Sequence, residues 1–65
     1  MKYICKTKGF SIKGYTKENP EKNKKITIKN GDIVETDNEG YMWKDNICFC
    51  HSDSILGHYH FEKLN

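Results

Sequence analysis

The sequence predicts an all-β fold, a small antiparallel domain of five short strands, and three observations carry that expectation. The stretch from Ile26 to Cys50 contains the runs Ile33-Val34-Glu35-Thr36, Tyr41-Met42-Trp43 and Ile47-Cys48-Phe49-Cys50. These are β-branched or aromatic in the way that suits a pleated, half-buried surface. They are cut by Asn30-Gly31-Asp32, Asp37-Asn38-Glu39-Gly40 and Asp45-Asn46, residues that accept positive φ or bond their own backbone. Finally, 65 residues make one domain, and 35% hydrophobic residues with 12% aromatic suffice for a compact core beside 31% charged residues. A domain this small buries only about 60% of its unfolded surface, so its stability is thin. Such folds often recruit a disulfide, a metal or a partner chain.

Taken in order, Lys2 to Lys8 alternates as a strand with a lysine-bearing face, and Gly9 ends or bends it. Phe10 and Ile12 share a face, and Gly14-Tyr15 marks a turn into a loop. Thr16 to Lys25 has no apolar residue and holds the single proline, Pro20, so it reads as a long polar loop. Ile26-Thr27-Ile28-Lys29 resumes alternation with both isoleucines inward. Gly40 closes the clearest reversal, and Asp45-Asn46 turns the chain into Ile47-His51. Ser52-Asp53-Ser54 supplies a helix N-cap before Ile55-Leu56, and Gly57 limits the element to a short 3₁₀ turn. His58 to Leu64 alternates again and is expected to be the last strand.

No apolar run is long enough to span a membrane, and Met1-Lys2-Tyr3-Ile4-Cys5-Lys6 is not followed by the apolar stretch of a secretory signal. The expected compartment is therefore the cytoplasm. Three cysteines, an odd number, fit reduced thiols there. All eleven basic residues are lysine, which removes the residue best suited to bidentate phosphate recognition. The net charge of +2 is unevenly spread. Residues 1–30 hold nine lysines against Glu18 and Glu21, whereas residues 31–65 hold Lys44 and Lys63 against seven acidic residues. Such halves either pair within the fold or present surfaces of opposite sign.

Five short strands, a long polar loop after the first and a one-turn element before the last resemble an SH3-like barrel. The run Ile28-Lys29-Asn30-Gly31-Asp32-Ile33-Val34-Glu35, with Phe61-Glu62-Lys63-Leu64 near the end, is similar to small SH3-like proteins of phages and Gram-positive bacteria. That resemblance implies a five-stranded SH3-like barrel and a mobile-element origin, and it carries over no functional residue. The aromatic run that lines the proline-peptide groove of eukaryotic SH3 domains has no counterpart here.

Four chemistries compete for the remaining residues. Cys48, Cys50, His58 and His60 are zinc-type donors, and on two neighbouring strands each pair would share a face. The single residue between the cysteines is closer than the usual zinc spacing, so zinc ranks low and no cofactor is expected. Nucleophilic catalysis needs a thiol beside an oriented base. Cys50 and His51 are adjacent on a strand and so point apart, so no enzyme is expected. Lys6, Lys8, Lys13, Lys22, Lys24 and Lys25 are candidates for a phosphate-binding face, with the aromatics as stacking platforms. Tyr41, Trp43 and Tyr15 are candidates for a protein-binding patch, provided that they lie on the surface. A non-enzymatic binding module with a protein partner ranks first, nucleic acid second, and the opposite-sign halves also suit a homodimer.

Overall fold

The structure, a computed structural model, describes residues 1–21 and 23–64. Its strands are β1 (Lys2–Cys5), β2 (Gly9–Thr16), β3 (Lys24–Lys29), β4 (Ile33–Thr36), β5 (Tyr41–Lys44), β6 (Ile47–His51) and β7 (Phe61–Leu64), with one helix, α1 (Ile55–His60). They form one antiparallel sheet in the order β3-β2-β6-β5-β4-β1-β7, open at β3 and β7. The all-β expectation holds. The closed five-stranded SH3-like barrel is replaced by seven strands with two free edges.

One extra strand, β2, comes from the N-terminal third. Lys2–Lys8 is not one strand: β1 stops at Cys5, and Gly9 takes φ 108° while its N–H donates to Thr7 Oγ1 at 3.2 Å. The reversal sends β1 to pair with β4 and β7, and β2 to pair with β3 and β6. Gly14, expected to turn into a loop, instead lies inside β2. Its neighbours pair with β3 on one side of it, and Tyr15 and Thr16 pair with β6 on the other. A Cβ at Gly14 would collide with the Cys48 carbonyl oxygen, so only glycine lets the two backbones approach there. The polar loop is correspondingly shorter than Thr16 to Lys25, because Thr16 belongs to β2 and Lys24 and Lys25 to β3. Lys22 lies outside the described residues.

The β2–β3 hairpin covers the other strands, and the core lies between them. Ile26 and Ile28 of β3 meet Cys5, Val34, Met42, Phe49 and Phe61, with Met42 fully buried. Phe10 approaches Phe61 edge-on at 5.9 Å and Phe49 at 6.2 Å, joining the hairpin to the C-terminal strands. Burial alternates along β3 as the period-2 pattern requires, with Ile26 and Ile28 inward and Lys25, Thr27 and Lys29 outward.

Between β5 and β6, Asp45 and Asn46 take φ 51° and 66°, both left-handed, which is the two-residue turn that matches strand twist. The ladder then slips. Trp43 faces Cys48 but Met42 faces Cys50, which leaves Phe49 as an extra residue in β6. This β-bulge lets Phe49 and Cys50 both turn inward, and Cys50 Sγ lies 3.6 Å from Met42 Sδ. Cys48 stays in line with Tyr15 and Trp43 on the outer side.

The C-terminal expectation is corrected. Ser54 is the N-cap, as the sequence predicts, and its hydroxyl accepts from Gly57 N–H at 3.0 Å and donates to His51 C=O at 2.6 Å. The 3₁₀ turn is instead an α-helix that runs through Gly57 to His60, and β7 begins only at Phe61. Gly57 does not stop the helix but permits it to dock. A Cβ there would lie 2.5 Å from the His51 carbonyl oxygen and 2.7 Å from that of Ser52. Ser54→Ala removes the cap and is expected to cost about 1 kcal/mol. Urea unfolding should show a lower midpoint with an unchanged slope.

Candidate functional site

The outer side of the sheet carries a row of directly opposed residues: Tyr15, Cys48, Trp43, Glu35 and Lys2, one from each of β2, β6, β5, β4 and β1. Directly paired residues share a face, so Tyr15 and Trp43 come together although they are 28 positions apart in the chain. Tyr15 meets Trp43 edge-on with centroids 6.1 Å apart, and Lys17 Nζ sits 5.2 Å from the Trp43 ring centroid. Trp43 Nε1 donates to Asp37 Oδ2 at 3.0 Å. Two positions along β5, Tyr41 lies on the same side and meets His51 edge-on at 4.8 Å. Tyr15 and Tyr41 are exposed at 37% and 40%, and Trp43 is half-buried.

Asp37 organises this cluster. Its Oδ1 accepts from the N–H groups of Glu39 at 2.9 Å and Tyr41 at 3.0 Å. The Trp43 indole N–H, opposed by partial desolvation and aided by those backbone donors, holds the Asp37 carboxyl below its usual range. A carboxylate with a depressed pKa in the fold contributes stability above its unfolded pKa and loses it as pH falls through the folded value. Acid titration followed by Trp43 fluorescence should therefore show a transition below the ordinary aspartate range, and Asp37→Asn should abolish it. A transition at or above that range would contradict the role given to Asp37.

His51 is held from both ring nitrogens. Nε2 lies 2.7 Å from the Glu39 carbonyl oxygen, which can only accept, and Nδ1 lies 3.0 Å from Asp53 N–H, which can only donate. The ring is thus the neutral tautomer with its proton on Nε2. A shallow groove of about 360 Å³ borders Trp43 on its other flank, lined by Ile33, Glu35, Lys44, Asp45 and Asn46.

The zinc-type donors are not brought together. The bulge leaves Cys48, itself buried, in the row between Tyr15 and Trp43 and turns Cys50 toward Met42, which overturns the shared face expected of them. His58 and His60 lie on a helix instead of a strand. His58 is exposed, while His60 stacks on Phe10 at 4.0 Å and its Nδ1 lies 2.7 Å from Thr7 Oγ1. Among the described residues no three His, Cys, Asp or Glu side chains converge on a metal-sized site. Burial also pushes the Cys50 thiol up to about 11 and raises that of Cys48, whereas zinc binds thiolates.

The candidate phosphate-binding lysines split into two groups, and Lys22 lies outside the described residues. Lys6 and Lys8 flank the β1–β2 reversal, whereas Lys13, Lys24 and Lys25 occupy the far end of the hairpin. Five residue steps along the chain separate Lys8 from Lys13, roughly 16 Å where it is extended. Lys13 stands directly opposite Lys25, a like-charge pair that disfavours the strand pairing.

Sequence reasoning missed the supports of the aromatic row. Lys17 was counted only as a basic residue, and Asp37 and His51 were read as turn and strand residues. It also missed the exposed apolar side of α1. Ile55 is 88% and Tyr59 67% exposed, with Leu56 beside them. The spacing Ile55, Leu56, Tyr59 was the available signal, but a strand was expected over Tyr59. No helix among the described residues is long and apolar enough to cross a membrane. No protein-family model matches the chain, and neither the curated proteins nor the solved structures offer a match.

Proposed function

We propose that this chain is a small non-enzymatic binding domain that holds a protein partner on its outer sheet face. Trp43 and Tyr41 are the anchors, with Tyr15 beside them. One observation carries the reading. Trp43 lies outside the core cluster yet is fixed on three sides, by the Tyr15 edge, the Lys17 ammonium and the Asp37 carboxylate. An aromatic side chain already ordered loses little entropy on binding, and buried Trp and Tyr anchors dominate the energetics of protein interfaces. Charges of both signs border Trp43, with Lys17 over its ring and Glu35 and Asp37 beside it. Such a rim suits a protein better than a uniformly anionic chain. A cytoplasmic host protein is the partner that the resemblance to phage proteins would imply.

The direct opposition of Lys13 and Lys25 favours a second reading, single-strand nucleic-acid binding, because an anion between the two lysines would relieve their repulsion. Both readings are separated by one set of assays. Peptide display against the wild-type domain, with Trp43→Ala and Tyr41→Ala as controls, should yield binders that both substitutions lose. Binding of a single-stranded oligonucleotide through three lysines would instead weaken roughly twenty-fold between 50 and 200 mM salt. Peptide binders indifferent to Trp43→Ala would overturn the protein reading.

A further inference from the structure

We infer that Asn30 is a site of spontaneous deamidation that the fold holds closed, so that the chain reacts there only while the β3–β4 connection stands open. The inference is independent of what the outer face binds. The sequence has six asparagines, and only Asn30 is followed by glycine. Asn19, Asn23, Asn38 and Asn46 precede Pro, Lys, Glu and Ile, whose ring or side chain crowds the backbone nitrogen. Asn30 and Gly31 are both exposed to water, and a Cβ on Gly31 would meet nothing within 4 Å. The reaction needs no partner but water. The Gly31 amide nitrogen attacks Asn30 Cγ, the N–Cγ bond forms, and the Cγ–Nδ2 bond breaks. The side-chain amide leaves as ammonia with the proton that the attacking nitrogen gave up. A cyclic imide results, and its closure is favoured because the reacting groups belong to adjacent residues. Water then adds to either imide carbonyl. One product is aspartate with a normal main chain, and the other is isoaspartate, whose main chain runs through Cβ and is one carbon longer.

The fold withholds both reacting groups. Gly31 N–H donates to Cys5 C=O at 2.9 Å, and Asn30 Nδ2 donates to Thr7 C=O at 2.8 Å. Cys5 N–H donates in turn to Asp32 C=O at 2.9 Å, and Asp32 N–H closes the turn on Lys29 C=O at 3.0 Å. The nucleophilic nitrogen and the leaving group are therefore tied to separate carbonyls at the end of β1. Attack requires both bonds to break, which means that the end of β1 releases the turn. Neither product restores the arrangement. A carboxylate has no proton to give Thr7 C=O. A main chain one carbon longer puts Gly31 N–H and Asp32 C=O out of step with Cys5. Modification thus weakens the contact that held it off.

The test compares the folded chain ageing in neutral buffer with the same chain unfolded in urea. Mass spectrometry of the tryptic peptide 30–44, which also contains Asn38 as an internal comparison, places the modification. Hydrogen exchange of the Gly31 amide is followed in parallel. In urea the reaction should fall at Asn30 well ahead of Asn38. In buffer it should slow by at least roughly tenfold, and by the same factor that protects the Gly31 amide from exchange, because both processes need its bond to Cys5 to open. Asn30 reacting as fast in the folded chain as in the unfolded one would overturn the inference. So would a Gly31 amide that exchanges freely in the folded chain, or a reaction in urea spread evenly over Asn30 and Asn38. Asn30→Asp reproduces the product with a normal main chain and should lower the urea midpoint with an unchanged slope. A midpoint equal to that of the wild type would overturn the weakening assigned to the product.

Discussion

Gly14→Ala should destabilise the domain by about 3 kcal/mol or more. The added methyl group meets a backbone atom, the Cys48 carbonyl oxygen, with the Ile47 side chain 2.6 Å away. No rotamer change can relieve such a contact, so β2 and β6 must separate. The pairs Tyr15–Cys48 and Thr16–Ile47 are the hairpin's ladder to the rest of the sheet, and the separation breaks them. Overpacking alone costs about 1–3 kcal/mol, and the lost ladder adds to it. A loss of about 3 kcal/mol or more is expected, against a total of about 3–10 kcal/mol for a chain of this length. Urea unfolding followed by Trp43 fluorescence measures it, since Tyr15 packs against that indole. A loss below about 1 kcal/mol would mean that the two strands can yield at this crossing.

Phe49→Ala is the second large effect, with an expected loss of about 3–5 kcal/mol. Phe49 is the bulged residue, it is buried, and its ring contacts Phe10 at 6.2 Å and Phe61 at 5.9 Å. Removing it empties the place where the hairpin meets β6 and β7. Cys48→Ala, one position away, is the control. Cys48 lies on the outer side of the bulge, buried between Tyr15 and Trp43, and loses only one sulfur atom, so the expected change is about 1 kcal/mol. Equal effects at the two positions would contradict the bulge as the device that sends these neighbours to opposite sides. Both measurements use the same urea experiment as Gly14→Ala.

These residues also show what could be read from the chain alone. The strands from Ile26 onward, the Gly40 reversal and the Asp45-Asn46 turn were legible because turn chemistry and alternation act over a few neighbouring residues. Whether Tyr15, Tyr41 and Trp43 lie in the core or on the surface was not legible, because alternation does not say which face of a strand is covered. The tasks of Gly9 and Gly14 were not legible. Both glycines answer to backbone brought in from β3 and β6, and nothing local marks that approach. The bulge at Phe49 was equally hidden, and one extra residue was enough to part Cys48 from Cys50 and dissolve the zinc-type set. At the C-terminus, His58-Tyr59-His60-Phe61 alternates as well as any strand. Docking of Gly57 against the His51 and Ser52 carbonyls, with the Ser54 cap, outweighs that pattern and draws the segment into a helix. Local preference here gave way to tertiary contact.

The open sheet gives the lysines of β3 a further duty. A free strand edge displays unpaired N–H and C=O groups that invite another chain to add a strand, and natural sheets blunt such edges with charge, lysine above all. β3 has six residues, three of them Lys24, Lys25 and Lys29, around a centre of Ile26, Thr27 and Ile28 that would otherwise make a competent template for stacking. β7, the other edge, is only four residues long and carries exposed Glu62 and Lys63. The basic character of the hairpin is thus part of what keeps the molecule in solution. Lysines that look surplus to a fold with a net charge of +2 guard it against fibrous assembly, and their neutralisation by acetylation or by high salt would expose that hazard.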